Sequence, residues 1–400
     1  VNSKTQETQP AFAEFVIIIS LMMSLTALSI DAMLPALPQI GAELGVQNTN
    51  DRQLVVSAVF LGLALGQLFF GPLSDRYGRK PAIYAGYTLY IAGALLSAWA
   101  DVFPVMLAGR LLQGLGISAP RAVTLALVRD RYEGRAMARV MSFVMTVFIL
   151  VPMIAPSLGQ AILLFSGWRS IFISFVLMAV ITMTWFSLRM PETLALEHRI
   201  PFSPRRILDS TLEIVRIRPA IGYTVSAGLV GGAFLGYLNS AQQILQEQYA
   251  LAELFPIVFS VIALSIGFAT LLNSRLVMRF GMRFLVRWSL VAVLGLSILA
   301  LGMALAAAGH PPLPLFVVYI MMAFFSIGIL WGNQNSLAME PLGHLAGIGA
   351  AVVGSLSTLI SMPLGALIGQ RYDGTVLPLI IGMAVLSGLA LLVVRWAEAV

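Results

Sequence analysis

The chain has 400 residues, of which 59% are hydrophobic and only 10% charged, against roughly 25% charged in an average soluble domain. A mean hydropathy of +0.91 exceeds what a soluble core needs, and a hydrocarbon layer about 30 Å thick, crossed by about 20 residues per helix, leaves room for about twelve spans. The net charge of +6 does not point to nucleic acid, because the Arg residues sit in short loops rather than along one polar face, and the absence of Cys excludes disulfides and thiolate metal sites.

Apolar runs predict membrane helices over 13–36, 53–73, 81–100, 104–128, 140–165, 168–189, 220–246, 255–276, 284–307, 313–338, 346–368 and 376–395. The first run is longer than a signal-peptide core and lacks a clear small-residue cleavage site, so it reads as a retained helix. With the N-terminus in the cytoplasm, nineteen of the 24 Lys and Arg fall in cytoplasmic segments: Lys4, the stretches 76–80, 129–139, 189–218 and 275–287, and Arg395. Arg52, Arg169 and Arg371 fall outside, while Arg110 and Arg121 lie within the fourth span. This bias puts both termini on the cytoplasmic side.

Asp31, in the first span, is the one acidic residue away from loops and span ends. A charge at depth costs about 2.5–3.5 kcal/mol on insertion scales, so it needs an aqueous cavity or a partner. Its protonation can then follow its surroundings, as proton coupling requires; the other reading is a helix-end Asp hydrated near the surface, ahead of Pro35 and Pro38.

Between the second and third spans lies GPLSDRYGRKP, Gly71–Pro81. Gly71 allows close helix approach, Asp75 supplies a carboxylate, Gly78 permits a turn with positive φ, and Arg76, Arg79 and Lys80 gather positive charge. Of these, Gly71, Asp75, Arg76, Gly78 and Arg79 form the expected conformational gate.

In the fourth span Arg110 stands about as deep as Asp31, so the two can meet; a permanent ion pair, or an Arg bonded to backbone carbonyls, is the alternative. Arg121 follows eleven residues later, three helical turns on and facing nearly the same way. Two cations against one acid disfavour lipophilic dications and suit neutral, zwitterionic or weakly acidic molecules. Arg121 also has the option of snorkelling to the cytoplasmic end of its helix.

The fifth span carries VPMIAPSLGQ, with Pro152, Pro156 and Gly159, a bent helix that lets a neighbour approach. The polar stretch 190–219, rich in Pro and Arg, reads as a linker between six-helix halves at 1–189 and 220–400. Tyr237, Asn239, Gln242, Gln243 and Gln246 in the seventh span, and Asn333, Gln334 and Asn335 in the tenth, put amides at membrane depth. Either a central cavity or interhelix hydrogen bonding accounts for them. Tyr237, Asn239, Gln243 and Asn335, with Gln113 and Arg121, are the candidate cavity residues. Arg279, Phe280, Gly281 and Arg283 form a faded copy of the 76–79 loop, with Met278 in place of Asp75, as an internal duplication would leave.

The loop pattern G-x-L-x-D-R-x-G-R-K, the R-x-x-Q-G-x-G at Arg110, Gln113, Gly114 and Gly116, and the segments DAMLPALPQI and VRDRYEGRAMARVMSF resemble the bicyclomycin and chloramphenicol resistance branch of the major facilitator superfamily. The fifth span is similar to the antiporter motif G-P-x-x-G-G, with Ala155 and Gln160 in place of the first and last Gly. The resemblance implies an all-α membrane protein of twelve helices in two pseudo-symmetric six-helix bundles, in the bacterial inner membrane. It implies export of small drugs in exchange for protons by alternating access, with protons as coupling ion and no cofactor. It implies a part for Arg110 in proton transfer and a contact between Asp75 and the start of the eleventh span.

The main rival is a proton-coupled transporter of a metabolite on the same scaffold. An enzyme is disfavoured, because His198, His310 and His344 all fall in loops and no metal-ligating helix motif occurs. An ATP-driven pump is excluded, since Lys4 and Lys80, the only Lys residues, sit in no phosphate-binding loop. The expected partners are small molecules and lipid, and a monomer suffices.

Overall fold

The computed structural model describes residues 10–399; Lys4 lies outside them, as do the side chains of Arg206 and His344. The spanning helices are α1 (Phe12–Asp31), α3 (Leu54–Tyr77), α4 (Arg79–Ala98), α5 (Phe103–Arg131), α6 (Gly134–Ser166), α7 (Arg169–Arg189), α9 (Arg218–Gln242), α10 (Phe255–Phe280), α11 (Met282–Ala306), α12 (Leu313–Met339), α13 (Ala346–Gln370) and α14 (Leu377–Glu398). Two shorter helices interrupt the series, α2 (Leu37–Glu43) and α8 (Pro204–Arg216). Among the described residues, twelve helical segments are long and apolar enough to cross a membrane. Helices satisfy their own backbone groups, which is what a hydrocarbon environment demands of a spanning segment.

Asp31 is the last residue of α1 rather than two turns inside it. Pro35 cannot continue a helix and biases the residue before it away from helical angles. The chain proceeds through a tight turn at Leu34–Ala36 into α2, with Pro38 near its start, where a missing N–H costs nothing. α5 and α6 outrun their expected lengths and leave only Tyr132 and Glu133 between them. The polar stretch 190–219 is not all loop, since it holds the amphipathic α8.

Within the first half, α5 packs between α3 and α4. Gly114 and Gly116 explain the spacing in RLLQGLG. A Cβ on Gly114 would run into the Val59 carbonyl of α3, and one on Gly116 into the Tyr90 amide of α4. Small residues bring backbones together in membranes, where lipid is as apolar as Leu and burial alone drives little association. Large apolar side chains such as Leu164, Phe165, Leu188, Phe268 and Leu299 face outward, as lipid-facing positions should.

The two halves meet along α3 and α13, and where α6 crosses α10. The turns at Gly78 and Gly281 lie at one end, here the basic end. At the opposite end the halves are tied by hydrogen bonds. Asn50 donates to the carbonyls of Gln370 (3.0 Å) and Tyr372 (2.8 Å), and Gln370 donates back to the Asn50 carbonyl (3.0 Å). Arg52 pairs with Glu247 at 2.8 Å. Glu247 is carried by a π-helical turn, Gln243–Gln248, that extends α9. Such turns are rare and often mark functional positions.

Candidate functional site

A cavity of about 310 Å³ opens between the halves. Asp31, Arg121, Tyr237 and Asn335 line it, together with Pro152 of α6. Its two walls differ. The first half contributes both charges, while the second contributes an aromatic cluster in which Phe234 meets Trp331 at 4.8 Å and Phe324 at 5.4 Å, and Tyr237 meets Phe324 at 4.9 Å. The Phe234–Trp331 and Tyr237–Phe324 contacts are edge-to-face, an arrangement that aromatic pairs favour.

Asp31 is 6% exposed, and among the described residues its carboxylate has no hydrogen-bond or ion-pair partner. Arg121 is exposed, lines the cavity and likewise has no partner among them. The Tyr237 hydroxyl is buried without a partner, and Asn335 is exposed on the same lining.

Arg110 does not meet Asp31. Fully buried, it donates through Nε to the Val55 carbonyl (3.1 Å), through Nη2 to the Ser29 carbonyl (2.7 Å) and through Nη1 to Gln113 Oε1 (2.7 Å). Its face also lies over the Phe172 ring at 5.6 Å. Neutral carbonyl oxygens thus solvate a buried cation, a costly arrangement that pins α1 to α5 just before Asp31. The Ser29 hydroxyl shares a 2.6 Å hydrogen bond with the Tyr90 hydroxyl, tying α4 into the same cluster.

Three of the six candidate cavity residues stand elsewhere. Gln113 is consumed by Arg110. Gln243 is in the seal at the opposite end, accepting from Gln53 Nε2 and donating to Asn50 Oδ1 (2.8 Å). Asn239 donates to Ser57 across the halves (3.3 Å). The amide stripe of the seventh span is therefore an interhelix fastening at Asn239 and Gln243. Tyr237, lower on the same helix, reaches the cavity.

Pro156 and Gly159 are buried where α6 approaches the chain just after Asp31, and a Cβ on Gly159 would strike the Ala32 carbonyl. The α6 motif therefore seats the end of α1 that carries the acid.

At the basic end, Arg79 is 3% exposed and clamps two acids, Asp75 at 2.5 Å and Asp130 at 2.9 Å, with Ser74 Oγ at 2.9 Å. Glu192 accepts from the backbone N–H of Arg79 (2.8 Å) and Lys80 (3.0 Å), the first two residues of α4. An anion there satisfies orphan donors and meets the positive end of the helix dipole. Gly78 turns at φ 110°, which L-residues rarely adopt. Arg76 stands apart from the clamp, exposed over the Tyr77 ring. Gly71 faces Ala351 of α13. Asp75 shares a cavity of about 270 Å³ with Leu345, Gly347 and Ile348 at the start of α13, while its carboxylate is held by Arg79.

Sequence reasoning missed Asp130, Glu192 and the cross-half pair Arg52–Glu247. Each finds its partner at least 50 residues away, so no local spacing announces it. No group of three His, Cys, Asp or Glu suited to a metal occurs among the described residues.

The family model described as Major Facilitator Superfamily matches residues 19–366. The chain is 30% identical over 336 residues to the multidrug resistance protein MdtL of Escherichia coli O139:H28, covering 81% of this chain and 80% of that one. It is 27% identical over 373 residues to the bicyclomycin resistance protein homolog of Haemophilus influenzae, covering 92% of each. The crystal structure of the human transporter MFSD10 superimposes with a TM-score of 0.73 at 18% identity, over 98% of this chain and all of that one, a likeness of fold.

Proposed function

The chain belongs to the major facilitator superfamily, and from that premise we propose that it is a drug:proton antiporter of a bacterial inner membrane. The basic end faces the cytoplasm, as the excess of Lys and Arg at that end favours. The halves rock about the central cavity, and one chain suffices, because the cavity lies wholly within it. Two curated relatives named for drug resistance support export of small toxic molecules.

The observation that carries the coupling is Asp31, an acid on the cavity wall with no partner among the described residues. A carboxylate with no partner binds a proton whenever its surroundings lose water and releases it when a substrate or water solvates the anion. Arg110 acts at one remove, holding the Ser29 carbonyl and so fixing the helix end on which Asp31 sits. The hydrogen bonds across the halves at the opposite end hold this conformation closed toward the periplasm.

Substrate-triggered proton movement in inside-out vesicles tests this. Addition of a neutral aromatic antibiotic should draw protons out of the acidified lumen, and Asp31→Asn should abolish that flux while the protein still inserts and folds. Full activity of Asp31→Asn would sink the coupling role. Proton movement into step with substrate, in the same direction, would identify a metabolite symporter, a reading that the replaced motif glycines Ala155 and Gln160 favour.

A further inference from the structure

We propose that the cavity selects elongated, dipolar aromatic molecules that carry a cation or hydrogen-bond donor for Asp31 at one end and a carboxylate or equally strong acceptor for Arg121 at the other. The proposal rests on the transporter reading and names its substrate class. Phe12 and Tyr132 touch at 6.0 Å between ring centroids, so the start of α1 and the end of α5 lie at one level. Asp31 closes α1, and Arg121 lies ten residues before the end of α5 at Arg131. With a rise of 1.5 Å per residue, the Cα atoms of the two residues stand about 13 Å apart along the helix direction, and their side chains, each tilted toward its own helix N-terminus, reach toward each other across that gap. An aromatic skeleton with a polar group at each end bridges two such charges, and a cavity of about 310 Å³ falls at the small end of the range for drug-sized ligands.

Among the described residues, Asp31 and Arg121 are the only charged side chains on the lining. α3 presents Phe60 and Gln67, α6 presents Phe148, and α12 and α13 present only uncharged groups such as Asn335 and Thr358. α9 adds the Tyr237 hydroxyl, and Arg110 lies behind the wall with its donors engaged. A guanidinium without a partner beside an apolar wall is a strong, geometrically specific site for a carboxylate.

The sign of coupling follows from which end of the substrate touches Asp31. A cation or donor stabilises the carboxylate form and displaces its proton, which is what antiport needs. A carboxylate nearby would favour the protonated form and bind together with the proton, which is symport. Placing the substrate anion at Arg121, at the other end of the lining, keeps it from reversing the exchange.

Three probes on one biphenyl skeleton separate the ends: an aminomethyl group at one terminus and a carboxylate at the other, the methyl ester of that compound, and its N-acetyl acid. Binding by calorimetry and proton release by an indicator dye are followed on the purified full chain in detergent. The zwitterion should bind about tenfold or more tighter than either analogue. The zwitterion and the ester should each release about one proton per chain, and the N-acetyl acid, whose amide N–H is a weaker donor than an ammonium, should release less. Arg121→Gln should reduce the zwitterion to the affinity of the ester and leave the ester unchanged, and Arg121→Lys should restore part of the preference. Equal weakening of ester and zwitterion by Arg121→Gln, or binding of none of the three probes, would overturn the proposal. If no probe releases a proton while the Arg121-dependent preference persists, the anchor stands and antiport falls. If protons are released but Arg121→Gln discriminates nothing, antiport stands and the anchor falls.

Discussion

The turns at Gly78 and Gly281 join consecutive spanning helices at the same end of the two halves, with the glycine at φ 110°, ψ 164° in one and φ 79°, ψ 157° in the other. Their surroundings have diverged. At the first, Arg79 is buried between Asp75 and Asp130, and Glu192 of the connecting stretch caps the following helix. At the second, Met278 stands 86% exposed where Asp75 would be, and Arg283 makes one exposed pair with Glu340 at 3.3 Å. The two turns thus share a backbone conformation, whereas the charge clamp stands at one of them only. Because the clamp recruits Glu192 and Thr193, it ties the start of the stretch between the halves to the first half, while α8 farther along packs on α9 and α13.

The largest contrast should come from removing the two arginines. Arg79→Ala strands two partly buried carboxylates and is expected to cost about 3 kcal/mol, with transport lost. Arg283→Ala breaks a pair whose partners are more than half exposed and should change stability by about 0.5 kcal/mol or less. Thermal unfolding of both variants in detergent checks this, and equal shifts would mean that the clamp is no stronger than the surface pair.

Alanine at the two glycines comes next. Both positions need a positive φ, which costs about 1–3 kcal/mol for other residues. At Gly281 nothing lies within 4 Å of the added Cβ, but at Gly78 it would stand 2.5 Å from Glu192 Oε2. Glu192 is held by three backbone N–H groups, including that of Leu194, and cannot yield freely. Gly78→Ala should therefore be the worse of the two by about 1 kcal/mol, measured by the same unfolding midpoint. Glu192→Gln, which keeps the shape and removes the charge from the helix start, should cost about 1 kcal/mol; no loss on this substitution would mean that the cap works by shape alone.

The clamp also shows where the sequence was legible. The twelve spans follow from run length, because hydrocarbon imposes it regardless of partners. Asp31 was legible because one acid in an apolar run has no bland neighbours, and Gly78 because a basic turn at that spacing needs a positive φ. What could not be read is pairing at a distance. Asp130 looks like any loop acid until Arg79 is placed beside it, and Gln243 and Asn239 look like cavity amides until Gln53 and Ser57 of the other half arrive. Arg110 and Asp31 share a depth, but depth alone does not say which way a side chain points, and Arg110 turns to carbonyls.

The smallest effect is expected from trying to rebuild the clamp in the second half. In the first turn Asp75 and Arg79 are four residues apart; four residues beyond Met278 stands Met282, so Met278→Asp alone finds no arginine at that spacing. Pairing it with Met282→Arg restores the spacing, yet both positions are poor ground for a buried clamp. Met278 is 86% exposed, so the new pair is a surface pair worth about 0.5 kcal/mol at most. Moreover, residue 282 begins α11, and a cation at a helix start opposes the dipole by a similar amount. Arg79 occupies the same position in α4, where Glu192 supplies the missing anion. The double variant should thus unfold within about 0.5 kcal/mol of the parent chain. A gain of more than about 1 kcal/mol would show that the turn backbone by itself suffices to make the clamp, and that the connecting stretch is a bystander at the first turn rather than part of its lock.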